Sequence, residues 1–167
     1  MALNTLKELY VEELKDLYSA ETQITKALPK MAAKAHNPEL KAGFEEHLQQ
    51  TEVQIQRLEQ IFQKLGESPA GKTCKAMKGL LAEGDELLKE DADPEVLDAA
   101  LIGAAQKVEH YEIASYGTAR TFAKLLGETA AAKLLDETLQ EEGDTDHKLT
   151  ELAMQHGINR DAKKKAA

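Results

Sequence analysis

The chain has 167 residues, of which 42% are hydrophobic and 31% charged, enough apolar material for the core of one domain of ordinary size. Aromatic residues make up only 4% and Trp is absent. This composition argues against β-sandwiches and barrels and is typical of an all-helical protein. The net charge of −9 argues against nucleic acid as a partner, because phosphate binding needs a basic surface.

The cysteine content and the first residues bear on location. A single cysteine, Cys74, excludes an internal disulfide and fits a reducing compartment. The first residues lack the basic end and apolar run of a signal peptide, and no uninterrupted apolar stretch approaches ~18 residues. We therefore expect a cytoplasmic protein with no membrane partner.

Helix start and stop signals divide the chain into four long helices and one short one. Thr5 and Glu8 predict a capping box before the first helix, whose apolar stripe continues past Pro29 and so predicts a kink rather than an end. The turns at Asn37-Pro38-Glu39 and Asp93-Pro94-Glu95 each predict a helix start. The long helices are predicted to lie between Thr5 and His36, Asn37 and Gly66, Asp93 and about Leu126, and Thr129 and Gly157, with a loop at 67–73 and a short helix over about 74–90.

The links between the helices predict the topology. Helices one and two, and helices three and four, are joined by short turns, so each pair is expected to form an antiparallel hairpin. Residues 67–93 are long enough to return along the whole bundle, which predicts a ferritin-like four-helix bundle with an additional short crossover helix. We expect one helical domain over residues 1–157 and a flexible tail over 158–167.

Polar residues interrupt the apolar stripe of every long helix near its middle. At ~1.5 Å per residue, Glu21 and Glu109 lie at about the same height in the bundle. Burying several carboxylates together is costly unless a cation or protons accompany them, and no Lys or Arg occupies these stripe positions. The interrupting residues are Glu21, His47, Glu109, Glu112, Glu142 and Asp146.

Carboxylates combined with imidazole are the ligands of dinuclear iron or manganese centres in helical bundles. We therefore predict a dinuclear Fe or Mn site in the bundle core. A simpler interpretation stays open for each residue taken singly, since a Glu at a bundle edge usually has its carboxylate in water. The Glu-x-x-His motif of many di-iron bundles is absent. Asp144 and His147 have its spacing but lie off the stripe.

Several runs resemble the bacterial YciF/YciE stress-protein family. The most specific is the twelve-residue block Gln106–Gly117, and the shorter runs are 18–21, 27–30, 47–51 and 139–142. This resemblance implies a dimeric, ferritin-like bundle related to rubrerythrins and made in stress or stationary phase. It also implies a metal centre formed by Glu21, His47, Glu109, Glu112 and Glu142.

The chain departs from the family pattern at one position. The family has an acidic residue three positions after the helix-two histidine, where this chain has Gln50, so the second metal depends on compensation by Asp146 or Glu52. Two hypotheses follow. The protein is either a metal-binding stress protein with weak ferroxidase or peroxide-consuming activity, acting on dioxygen or peroxide, or a structural or partner-binding bundle that has lost redox activity. Whether it is an enzyme stays open.

Overall fold

The computed structural model describes residues 3–154 and 157–164. Within these residues it contains helices and no strands, and no helix is both long and apolar enough to cross a membrane. The helices are α1 (Leu6–Lys34), α2 (Pro38–Leu65), α3 (Lys75–Leu87), α4 (Pro94–Leu125), α5 (Thr129–Met154) and α6 (Ile158–Lys164).

The predicted helix boundaries are confirmed by their capping contacts. Thr5 and Glu8 form the capping box of α1, which continues through Pro29 to Lys34. The Asn37 side chain accepts hydrogen bonds from the backbone N–H groups of Glu39 and Leu40 at the start of α2. Thr129, expected to cap the last long helix, is instead its first helical residue.

Two glycines provide a matched test of backbone conformation. Gly66 ends α2 with φ 67°, a left-handed conformation that costs other residues about 1–2 kcal/mol. Gly103 lies exposed inside α4, where an added Cβ would meet no atom within 4 Å. We expect Gly66→Ala to lower the free energy of unfolding by about 1 kcal/mol and Gly103→Ala to raise it by about 0.5–1 kcal/mol. Urea denaturation measures both changes in the free energy of unfolding. Changes of the same sign in the two variants would contradict the left-handed conformation assigned to Gly66.

The predicted four-helix bundle with a crossover helix is confirmed. Helix α1 packs against α2, and α4 packs against α5; α1 also packs against α4, and α2 against α5. Two apolar clusters fill the interior. The first core cluster includes Leu28, Phe44 and Leu149, and the second core cluster includes Leu14 and Leu135.

Buried polar residues separate the two clusters on every long helix. On α1, for example, Leu17 belongs to the second core cluster, Ile24 to the first, and Glu21 lies between them. The same alternation occurs along α2, α4 and α5. The residues of this polar layer that carry titratable groups are Glu21, His47, Glu109, Glu112 and Glu142.

The crossover helix α3 is held to the bundle at its first turn. The Cys74 backbone N–H donates to Ser19 Oγ (2.9 Å), and its carbonyl accepts from Gln23 Nε2 (3.2 Å). Its buried Sγ caps α3 through the Met77 N–H and lies 3.0 Å from Tyr111 Oη. Cys74 therefore joins α3 to both α1 and α4.

A buried carboxylate organises the turn between α1 and α2. Asp98 on α4 accepts hydrogen bonds from the backbone N–H groups of His36 (2.8 Å) and Asn37 (2.7 Å). The two oxygens of one side chain thus satisfy consecutive donors of a turn that is more than 60 residues away in the chain. This contact fixes the α1–α2 hairpin against the second hairpin.

The C-terminal segment differs from the flexible tail expected over residues 158–167. Residues 158–164 form helix α6, which packs against α4 and α5. Ile158 is buried in the first core cluster and anchors the helix there. A short polar segment gains helical structure here because one apolar residue finds space in the core. Residues 165–167, which complete the predicted tail, lie outside the described part of the chain.

Candidate metal centre

The polar layer brings together one imidazole and four carboxylates from all four long helices. Their exposed fractions lie between 0 and 5%. His47 Nε2 lies 3.3 Å from Glu109 Oε1 and 3.9 Å from Glu142 Oε2. Ligand atoms of His47, Glu109, Glu112 and Glu142 all lie within 4.8 Å of one another. Two ligands on opposite sides of a cation with bonds of about 2.1 Å would be ~4.2 Å apart, so this spacing is close to what one cation spans.

Most carboxylate oxygens of this cluster have no hydrogen-bond partner among the described residues. Both oxygens of Glu112, both of Glu142 and one oxygen each of Glu21 and Glu109 are buried and unsatisfied. An unsatisfied buried carboxylate oxygen costs free energy, and native proteins rarely leave such groups unpaired. These unsatisfied acceptors therefore require either a bound ligand or protons on the carboxyl groups.

His47 is oriented towards the carboxylates by its neighbours. Its Nδ1 lies 3.4 Å from Thr145 Oγ1 on α5, which leaves Nε2 facing Glu109 and Glu142. Nε2 itself is buried without a hydrogen bond of good geometry. Histidine ligands in metalloproteins commonly have one ring nitrogen engaged in this way and the other directed at the metal.

Glu21 meets the cluster from α1 and is held by Tyr116. The Tyr116 hydroxyl donates a hydrogen bond to Glu21 Oε1, and the Glu112 carboxyl group lies next to Glu21. Burial and the nearby Glu21 carboxylate raise the pKa of Tyr116 well above its ordinary value, so the hydroxyl keeps its proton. Tyr116 thus fixes one oxygen of Glu21 and leaves the other, unsatisfied oxygen free for a ligand.

Burial and the closeness of the carboxyl groups to one another shift the pKa values of the polar layer. Burial raises the pKa of Glu21 to about 7, although the Tyr116 hydrogen bond opposes this increase. Burial together with the neighbouring carboxylates raises the pKa values of Glu112 and Glu142 well above 4.5. Burial alone would lower the pKa of His47, but the adjacent Glu109 raises it overall. Without a metal, the layer therefore retains protons that solvent-exposed carboxyl groups would lose.

No cationic side chain other than His47 pairs with these carboxylates among the residues that the structure describes. Arg57 on α2 makes two hydrogen bonds of 2.6 and 2.7 Å to Glu141, one residue before Glu142. Glu141 accepts a third from Gln54. These contacts compensate the charge of Glu141 and do not involve Glu142.

The structure brings five of the six predicted site residues together and places the sixth elsewhere. Asp146 accepts a hydrogen bond from Gln106 (3.1 Å) and lies 3.4 Å from His110 Nε2, at the bundle edge. Asp146 and the exposed Glu52 therefore both lie away from the place where they would compensate for Gln50, which itself lies half-buried beside His47. His147, which we placed off the stripe, is exposed and pairs with Glu151.

Sequence reasoning missed the contact between Tyr116 and Glu21. Two other tyrosines lie close to predicted site residues in the sequence but contact other groups. Tyr18 donates to Glu59 at the surface, and Tyr111 donates to Asp16 beside Cys74; neither hydrogen-bonds to the polar layer. The signal for Tyr116 was its position one helical turn after Glu112 on the same stripe. Thr51, Gln54 and Thr138 are further buried polar residues of this region.

Comparisons with known proteins agree with this architecture. Residues 5–163 match the family model described as a domain of unknown function, DUF892. The chain is 47% identical to the protein YciF of Escherichia coli K12 over 167 residues, covering 99% of this chain and 100% of that protein.

Two solved structures share the fold over nearly their whole length. The structure of the E. coli stress protein YciF has a TM-score of 0.91 and 46% identity, covering 95% of this chain and 99% of the other. YcfI from Rhodopseudomonas palustris has a TM-score of 0.85 and 48% identity, covering 88% and 94% of the two chains. The chain therefore belongs to the DUF892 family, together with YciF.

Proposed function

We propose that this protein is a ferritin-like stress-response protein that holds two iron or manganese ions in its polar layer. The observation that carries the proposal is the set of buried, unsatisfied carboxylate oxygens around His47, with no Lys or Arg paired to them in the described chain. Four ionised carboxylates (Glu21, Glu109, Glu112 and Glu142) would carry four negative charges, which two divalent cations would balance. Carboxylate and imidazole ligands suit Fe(II) and Mn(II).

We infer a division of these residues between the two ions. His47, Glu109, Glu112 and Glu142 have ligand atoms close enough to contact one cation. Glu21 approaches Glu112 from the α1 side, so these two carboxylates would hold the second cation. Asp146 is not included because it faces His110. The bound metals would supply a redox-active centre that reacts with a small oxidant, either dioxygen or peroxide.

Metal titration tests the proposal directly. Protein purified without chelator is analysed for metal, and the metal-free protein is titrated with Fe(II) and with Mn(II) by calorimetry. We expect about two ions per chain and a loss of affinity of at least ~10-fold in Glu142→Gln, since this change removes a charged ligand. Glu45→Gln, an exposed change on α2 close to His47, is the matched control and should bind like the parent.

The alternative is a non-enzymatic scaffold that keeps the fold without the metals. Equal and negligible metal binding by the parent, Glu142→Gln and Glu45→Gln would favour it. In that case the polar layer would be kept neutral by protons, consistent with the raised pKa values of Glu112 and Glu142.

A further inference from the structure

A cavity of about 30 Å³ lies beside the polar layer, on the side of the first core cluster. His47 and Glu109 form the wall nearest the candidate metals. The rest of the lining is almost entirely apolar and includes Ile24, Leu28, Phe44, Ala105, Val108 and Leu149. The cavity is thus a small hydrophobic space in contact with two proposed metal ligands.

The surface nearest the cavity lies between α2 and α5, where a groove of about 120 Å³ runs along the outer side of these helices. Gly43, His47, Thr145 and Lys148 line both the groove and the cavity. The side chain of Lys148 donates to Glu46 at the rim of the groove, which Asp144 also lines. The shared residues mark where a small neutral molecule would enter the cavity from the groove.

Size and polarity restrict the ligand. By the same measure of cavity volume, about 10–15 Å³ accommodates one water molecule, so the cavity has room for one or two very small molecules. Small apolar cavities nevertheless stay dry, because water needs two to four polar partners. Hydrogen peroxide has the same need for hydrogen bonds, and this cavity offers polar atoms on few of its walls. Dioxygen is similar in size, uncharged and apolar, and it fits both the space and its lining.

We propose that this cavity is a dioxygen-binding site, entered between α2 and α5 at Gly43 and Lys148. Its role in bringing dioxygen to the His47–Glu109 side of the centre rests on the proposed function. Binding of dioxygen to the cavity itself does not, because the apolar lining is present in the protein without metal.

The test uses the paramagnetism of dioxygen. The metal-free protein is equilibrated with dioxygen under pressure, with nitrogen as the reference gas, and methyl proton relaxation is measured by NMR. We expect the relaxation enhancement at Ile24, Leu28 and Val108 to exceed that at Leu14 and Leu58 about twofold or more, since the first group lines this cavity and the second group lies in the other core cluster. Equal enhancement in the two core clusters would overturn the proposal.

A plugged variant with a matched control tests the entrance. An added Cβ meets no atom within 4 Å at either Gly43 or Gly103, and both glycines lie within helices, but only Gly43 lines the cavity. We expect Gly43→Leu to remove most of the enhancement at Ile24 and Val108, and Gly103→Leu to retain it. Retention in both variants would overturn the assignment of the entrance.

The parent protein provides a result even where Gly43→Leu fails to fold. Ala105→Val then serves as the second variant, because Ala105 lines the interior of the cavity. Failure of the metal proposal would leave these measurements unchanged, since they use metal-free protein. Conversely, metal binding without relaxation enhancement would reject the dioxygen site alone.

Discussion

The metal-free protein is expected to lose about 3 kcal/mol or more of its free energy of unfolding as the pH rises from about 5 to about 8. The reason is the polar layer, where burial raises the pKa of Glu21 from 4.5 to about 7 and raises those of Glu112 and Glu142 as well. A shift of this size for Glu21 alone corresponds to ~3 kcal/mol, because each pKa unit is equivalent to about 1.4 kcal/mol.

The direction follows from proton linkage. A carboxyl group whose pKa is higher in the folded state binds protons more tightly there than in the unfolded state. Its contribution to stability is complete below the unfolded pKa and is lost as the pH rises through the folded pKa. The raised pKa of His47 acts in the same direction. Carboxyl groups with lowered pKa values, such as Asp16 and Glu141, lose their contribution only in more acidic solution.

Glu112→Gln tests how much the buried carboxyl group of Glu112 destabilises the metal-free protein. The amide keeps the size of the side chain without an ionisable group, so we expect a higher melting temperature than the parent at pH 8 and a weaker dependence on pH. Glu52→Gln changes the net charge equally at an exposed position and should behave like the parent. Thermal denaturation of chelator-treated proteins across this pH range provides the measurement.

Adding metal should reverse the order of the melting temperatures of the parent and Glu112→Gln. Cations that bind only the folded protein stabilise it according to their concentration and affinity. We expect Mn(II) to raise the melting temperature of the parent and of Glu52→Gln at pH 8, with a much smaller rise in Glu112→Gln. An unchanged pH profile in Glu112→Gln would contradict the role given to this carboxyl group.

Asp98→Ala is expected to destabilise the protein by about 3 kcal/mol at neutral pH. The change removes the acceptor of two backbone N–H groups, those of His36 and Asn37, in a buried turn. Hydrogen bonds to charged groups contribute about 1.5–3 kcal/mol each, and buried donors left unsatisfied are costly. Because the turn joins α1 to α2 and Asp98 lies on α4, the loss affects the docking of the two hairpins.

The control for Asp98→Ala lies seven residues earlier in the chain. Asp91 is exposed, so Asp91→Ala should change the free energy of unfolding by no more than about 0.5 kcal/mol. Urea denaturation of both variants measures the difference. A loss in Asp98→Ala as small as in Asp91→Ala would show that water replaces the carboxylate at this turn.

Local signals predicted the helices because helix ends depend on nearby residues. The capping box at Thr5 and Glu8, the Asn37-Pro38 start and the Gly66 stop all act within one or two turns of the chain. The long segment between Gly66 and Asp93 indicated the crossover for a similar reason, since its length alone limits where the next helix begins. The homodimer and the cytoplasmic location stay predictions of the sequence.

Contacts between distant residues were harder to predict. Nothing in the sequence near Asp98 indicates its role, because its hydrogen-bond partners lie in the turn between α1 and α2. Asp146 shared the stripe of Glu142 but is turned towards His110, and periodicity of 3.6 residues does not resolve such small rotations at a bundle edge. Helix α6 depends on a space in the core that accepts Ile158, and the order of residues does not reveal that space.

Helical periodicity and caps are local properties, so the order of residues is enough to predict a helical bundle whose long helices each carry acid or imidazole at mid-length. The packing of the helices brings Glu21, His47, Glu109, Glu112 and Glu142 into one buried layer, with Tyr116 holding Glu21 and an apolar cavity at its side. These features depend on the rotation and height of helices relative to one another. Packing of side chains from all four helices sets both quantities.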